Sequence, residues 1–164
     1  MSGAGKSTCA NALADRLRSS GYRVEVLDGD AIRERLSKGL TYSREDRNEN
    51  IRRIGFVAEL LSRNGVMVIV AAISPYRQAR DEVRARIPNF IEVHAHCPLD
   101  VLIQRDAKGL YKRALAGEIA HFTGINDPYE PPQAPEATID SSTDSVEQGV
   151  ERIWTALQRQ GVCV

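Results

Sequence analysis

Seven residues near the start of the chain, Ser2-Gly3-Ala4-Gly5-Lys6-Ser7-Thr8, lead straight into a segment with helical apolar spacing. Glycines beside a lysine and a hydroxyl, at the mouth of a helix, let backbone N–H groups turn toward an anion. The phosphate-loop pattern is G-x-x-x-x-G-K-S/T, and Gly5, Lys6 and Ser7 fill its last three positions. Lys6 is placed to reach β- and γ-phosphates, and the Ser7 hydroxyl suits Mg²⁺. The helix that follows aims its positive end at the anion. Ser2, Gly3, Ala4, Gly5, Lys6, Ser7 and Thr8 are therefore the candidate ATP-binding residues. The first glycine of the pattern would fall one residue before Met1, so the strand that leads into such a loop is expected to be missing from the chain.

Beyond the loop, helical and strand patterns alternate. Helix is expected over 6–20 with Gly21 as its stop, then strand over 24–27. Ser43 to Asn64 reads as a long helix with Ser43 as N-cap and Asp46 at the capping-box position. The run Val66 to Ile73, VMVIVAAI, suits a strand buried on both faces of a parallel sheet. Helix over 76–86, strand over 90–96, short helices over 99–106 and 111–116, strand over 136–139 and helix over 145–160 complete the pattern. Val146, Val150, Ile153 and Leu157 form the apolar stripe of the last helix. This alternation predicts one α/β domain spanning 1–164, a mostly parallel sheet with helices on both faces. The Gly-, Pro- and aromatic-rich stretch of about 106–135 interrupts the rhythm and reads as a lid.

Composition removes several function classes. Lys and Arg balance Asp and Glu at 22 each, so no basic footprint for nucleic acid is present. No apolar run reaches the roughly 20 residues that span a bilayer, and no signal peptide is read at the start. Three separated cysteines, Cys9, Cys97 and Cys163, fit buried roles in a reduced, cytoplasmic setting. No metal-ligand cluster is evident, and His94 and His96 read as ordinary strand positions.

In an open α/β sheet, ligands lie beyond the carboxyl ends of the strands. Asp28-Gly29-Asp30, with Arg33 following, ends the first strand. Two carboxylates beside a phosphate loop suit a magnesium relay and a base for an attacking hydroxyl; a plain turn with Asp30 as helix cap is the alternative. Ser74 ends the apolar strand, either touching substrate or capping the next helix, with Pro75 at the first helical position. In the long helix, Ile51, Ile54, Ala58 and Leu61 face inward. One turn back from Ile51 and Ile54 stand Arg47 and Asn50, so the inward stripe turns polar. An arginine there opposes the helix dipole and calls for an anionic partner.

Taken together, SGAGKST, LDGDAIR, YSREDRNENIRRIG, ISPYR, RDAKGLYKRALAGEI and FTGINDPYEPP with APE resemble the adenylylsulfate kinase family in content and order, over nearly the whole chain. The resemblance implies a three-layer P-loop kinase fold. It implies transfer of the ATP γ-phosphate, with Mg²⁺, to the 3′-hydroxyl of adenosine 5′-phosphosulfate (APS), giving PAPS and ADP in sulfate assimilation. It places Asp28, Arg33, Arg47, Asn50, Ile73, Ser74 and Lys108 at the APS site, with Tyr42 and Phe122 as rings on either side of the adenine. The residues themselves suggest direct in-line transfer, with Lys6 neutralising developing charge and Asp30 orienting or deprotonating the 3′-hydroxyl; the family's phosphoserine intermediate would fall on Ser74, which otherwise positions substrate, and Arg105 begins a block similar to the family's nucleotide-covering region. The resemblance suggests a homodimer and leaves fusion or association with ATP sulfurylase open. Tyr42 stands where the family is expected to carry Phe, and Asn126 where it carries Asp. Two other readings stay open: a small-molecule kinase with a different acceptor, and a nucleotide-binding domain without turnover.

Overall fold

The computed structural model describes residues 1–106 and 108–163. Two parallel strand pairs carry the fold. β1 (Val24–Asp28) pairs with β2 (Met67–Ala71) in the register Val24↔Met67 to Asp28↔Ala71. β3 (Val93–His96) pairs with β4 (Ala137–Asp140), from Val93↔Ala137 to His96↔Asp140. All pairing is parallel, as the β–α alternation predicts. Among the described residues, however, no ladder joins β2 to β3. This corrects one expectation: β2 is not buried throughout, and Val70 is 42% exposed.

Helices cover both faces. On one, α1 (Lys6–Ser19) and α7 (Val146–Arg159) bury Leu13, Leu17, Val150, Ile153, Trp154 and Leu157. Met67 and Ile69 of β2 and Val93 and Ala95 of β3 pack against that same cluster, so both strand pairs share one layer. On the other face, α3 (Arg44–Ser62) and α4 (Arg77–Arg84) bury Ile51, Ile54, Ala58, Ala79 and Val83 against Leu27. Met67 and Ile69 facing one cluster and Val68 the other is the two-residue alternation of a strand. A third cluster joins Ala4 of the loop to α5 (Leu99–Arg105), α6 (Leu110–Leu115) and Phe122, and so roots the lid region beside the loop. All three cysteines are free and buried.

Local signals explain most boundaries. Ser43 caps α3 by accepting the Asp46 N–H at 3.2 Å. Asp46 does not complete the capping box; its carboxylate takes the Thr41 N–H and hydroxyl instead. α7 does have a full box, Ser145 with Gln148. Val146, placed on the buried stripe by spacing, is the first residue of that helix and is 39% exposed. One helix escaped the pattern reading. α2 (Gly29–Leu36) buries none of its residues, so it has no apolar stripe to read.

Two features of the α3–α4 side carry predictions. A Cβ on Gly55 would sit 2.6 and 3.0 Å from the γ-carbons of Val83. Overpacking costs about 1–3 kcal/mol and exceeds the gain of about 1 kcal/mol in helix propensity. Gly55→Ala is therefore expected to lower stability in urea titration, and Val83→Ala in that background to recover part of the loss. Arg84 pairs with Glu136 at 2.7 Å and holds its carboxyl below the usual glutamate range. A lowered folded-state pKa stabilises above the unfolded value, about 4.3, and that contribution disappears as pH falls through the folded value. Arg84→Met should thus narrow the difference in stability between pH 7 and pH 3, measured by the same titration.

Candidate functional site

The phosphate loop has the shape its glycines allow. Gly3 and Gly5 both adopt φ 73°, and Gly5 is the N-cap of α1. No side chain caps that helix, so its first-turn N–H groups are free to face an anion. Ala4 is fully buried between the loop and the lid-region cluster. The Lys6 ammonium donates to the Met1 carbonyl at 2.6 Å, bridging the loop. Burial lowers its pKa, and the Asp30 carboxylate works against that shift. Tyr111 donates its hydroxyl to the Ser2 carbonyl at 2.9 Å, tying α6 to the loop.

The end of β1 meets this loop. Ser7 Oγ donates to Asp28 Oδ2 at 2.6 Å, and Asp28 Oδ1 accepts the Asp30 N–H at 3.0 Å. The cap of α2 is therefore Asp28, not Asp30. Asp30 is left to point outward, where the Lys108 ammonium donates to it at 2.6 Å. The Ser7 hydroxyl holds the Asp28 carboxyl below its ordinary pKa, so it stays anionic. A hydroxyl and an ionised carboxylate beside a phosphate loop match the oxygen chemistry of Mg²⁺, which takes one or two protein ligands together with phosphates and water. Gly29 is required by close approach: a Cβ there would lie 3.1 Å from Ala71 O.

The inward polar face of α3 is present as spacing predicts. Arg47 and Asn50 are 8% and 6% exposed, whereas Arg44 lies at the surface. Asn48 is buried too, which spacing did not suggest. The Arg47 guanidinium donates to Tyr42 O at 2.9 Å and to His121 O at 2.5 Å. It thereby bridges the two segments that carry Tyr42 and Phe122. Among the described residues no carboxylate comes within ion-pair distance of it. Burial lowers its pKa, opposed from further off by Tyr76 and Asp127. The side-chain oxygen of Asn50 is buried without a partner. Arg33 donates to the carbonyls of Leu40 and Thr41 and lies 4.2 Å over the Tyr42 ring.

The two aromatic candidates differ in setting. Tyr42 is 52% exposed, and its ring rests on the guanidinium groups of Arg33 and Arg47. Phe122 is buried edge-on to Tyr111, with ring centroids 5.0 Å apart. Asn126 accepts the Phe122 N–H at 2.5 Å and donates to Ile119 O at 2.9 Å. That donor role is one an ionised Asp lacks, so the amide closes the turn by itself.

At the end of β2, Ile73 and Ser74 follow the strand, and the Ser74 hydroxyl is buried without a hydrogen-bond partner. Arg105 donates to Ser141 O at 2.8 Å on the other flank of the loop. There a cavity of about 210 Å³ opens between Gly5, Thr8, Arg105, the 140–146 turn and Gly149. The turn is built by Asp140, which accepts the Ser142 N–H, and by Asp144, which accepts the Asp140 N–H. The sequence reading overlooked this turn, although the strand-end rule that selected Asp28 and Ser74 applies equally to the end of β4. A larger cavity, about 370 Å³, lies far from this machinery over Phe56, Val83 and the Arg52–Glu82 pair.

Comparison with known proteins agrees with this geometry. A family model described as adenylylsulphate kinase matches residues 1–140. The adenylyl-sulfate kinase of Rippkaea orientalis is 58% identical over 161 residues, covering 98% of this chain and 89% of that protein. A probable bifunctional SAT/APS kinase 2 of Sorangium cellulosum is 55% identical over 161 residues, 98% of this chain and 28% of that protein. The structure of the Mycobacterium tuberculosis APS kinase CysC in complex with AMPPNP and APS superposes with a TM-score of 0.91 at 39% identity, covering 96% of this chain and 93% of that one. With a family model matching residues 1–140, a relative 58% identical over nearly the whole chain, and a cleft that joins a phosphate loop to a buried arginine lacking a carboxylate partner among the described residues, this chain belongs to the adenylylsulfate kinase family.

Proposed function

We propose that the chain is an adenylylsulfate kinase, transferring the γ-phosphoryl group of ATP to the 3′-hydroxyl of APS to give PAPS and ADP. Arg47 carries the reading: a buried guanidinium without a carboxylate partner needs an anion, and a phosphosulfate group supplies one. The likeness to APS kinases supports the same acceptor. On this reading Arg33, Arg47 and Asn50 hold the phosphosulfate, Tyr42 and Phe122 flank the adenine, and Asp28 and the main chain at Ile73 and Ser74 line the site. Ser2 to Thr8 and Arg105 hold ATP.

The residues divide the chemistry between them. The amide groups at the start of α1 and Lys6 face the phosphates and stabilise charge as it moves onto the leaving oxygen. Ser7 and Asp28 would hold Mg²⁺, which when bound neutralises phosphate charge. Asp30 orients the 3′-hydroxyl and takes its proton as the phosphorus–oxygen bond forms and ADP departs. Lys108 reaches Asp30 from the lid, so closing the lid sets that carboxylate's direction and excludes water. Ser74 positions substrate rather than attacking: its hydroxyl touches no base that would activate it.

Other parts of the proposal rest on the resemblance. The homodimer is one; a single domain over 1–164 rests on the β–α alternation, and a cytoplasmic site of action on the separated, unpaired cysteines. Among the described residues no helix is long and apolar enough to cross a membrane. A partnership with ATP sulfurylase draws support from the bifunctional Sorangium relative.

A coupled assay of ADP release tests the activity. APS should elicit turnover, and gluconate, shikimate and nucleosides should not; ATP binding with no turnover on APS would favour a domain that only binds nucleotide. Asp30→Asn is expected to lower kcat by about 10²–10⁴-fold, and near-normal kcat would remove Asp30 from the mechanism. Incubation with γ-labelled ATP in the absence of APS should leave no label on the protein, whereas labelled Ser74 would establish the phosphoserine route.

A further inference from the structure

Arg80 sits one turn into α4, with its residue 9% exposed, and has no place in the site proposed above. Its guanidinium nevertheless reaches three separate segments. One nitrogen donates to the Ser74 carbonyl at 2.7 Å, where β2 runs into the substrate side of the cleft. Another donates to the Glu130 carbonyl at 2.8 Å, where the chain returns from the lid. The third lies 2.7 Å from the Glu92 carboxylate, a contact of charge rather than an aligned hydrogen bond.

Glu130 strengthens the same junction. Its N–H donates to Pro75 O at 2.8 Å, and its carboxylate accepts the Arg77 N–H at 2.8 Å. The 74–77 turn is therefore held by its main chain from both sides. The buried hydroxyl of Ser74, at the start of that turn, is left without a partner. A purely structural anchor would gain by satisfying that hydroxyl as well, since an orphaned buried donor costs about 1–3 kcal/mol.

Arg84 gives the contrast. One turn along the same helix, it pairs with Glu92 and Glu136 and touches neither the 74–77 turn nor the lid's return. It joins α4 to the strands and does nothing at the cleft.

We infer that Arg80 is a positioning residue for the acceptor site, locking the lid's return at Glu130 to Ser74 so that the floor and cover of the APS pocket are fixed as one piece. The inference rests on the APS reading of the site. It depends on the planar fork of arginine, because the single ammonium of lysine cannot reach both carbonyls at once.

The test is calorimetric binding of APS and of a nonhydrolysable ATP analogue to the wild type, Arg80→Lys and Arg84→Lys, with Tm recorded for each. Arg80→Lys should weaken APS about tenfold, the order of losing a charge-assisted contact to one carbonyl, and leave the ATP analogue within about twofold. Arg84→Lys should lower Tm and leave both affinities unchanged. Unchanged APS affinity in Arg80→Lys, or equal weakening of both ligands, overturns the positioning role. Absence of APS binding in the wild type overturns the site reading itself, and the inference with it. If Arg80→Lys does not fold, hydrogen exchange on the wild type decides. APS, and not the ATP analogue, should slow exchange of the Arg77 and Glu130 amides, and no APS-specific slowing contradicts the inference.

Discussion

A positive charge placed inside the protein without a negative one beside it governs this cleft. Arg47 has lost most of its water, and among the described residues it takes in exchange the main-chain carbonyls of Tyr42 and His121 and the face of the Tyr42 ring, with no carboxylate. Such an arrangement costs several kcal/mol unless an anion arrives. The site therefore meets that cost in the absence of ligand, and the same two hydrogen bonds use the charge to hold the N-terminal end of α3 to the lid. An anionic substrate that enters is drawn to the point where the walls of the cleft are already joined.

The remaining contacts around the cleft follow the same plan. Tyr111 fastens α6 to the Ser2 carbonyl, and Lys108 reaches across to Asp30. The lid is thus tied to the phosphate loop, to the end of β1 and to α3. On the proposed reading the phosphoryl donor site and the acceptor site are built on different strand ends, and the lid segment touches both. This is the arrangement a kinase needs to exclude water at the moment of transfer.

Much of this was legible from the residues. The polar turn in the stripe of α3 identified Arg47 and Asn50 because helical spacing alone decides which positions face inward. Gly5-Lys6-Ser7 identified the loop because few other uses bring those residue types together. What spacing could not provide was anything depending on a partner distant in sequence. Asp28 rather than Asp30 caps α2, since Ser7 fixes the orientation of the Asp28 carboxylate. Arg80 and Glu130 meet only in the folded chain, fifty positions apart. α2 was missed because it buries nothing, and the exposure of Val70 could not be foreseen from a run of apolar residues that looked uniformly internal.

The most direct measurement compares APS with adenosine as ligands of the wild type and of Arg47→Gln. If the buried charge exists for the phosphosulfate, the wild type favours APS strongly. Arg47→Gln should then reduce that preference about tenfold or more, the order expected from losing charged hydrogen bonds, with adenosine affinity little changed. An equal loss for both ligands, or an unchanged preference, would contradict the account and make Arg47 a structural clasp alone.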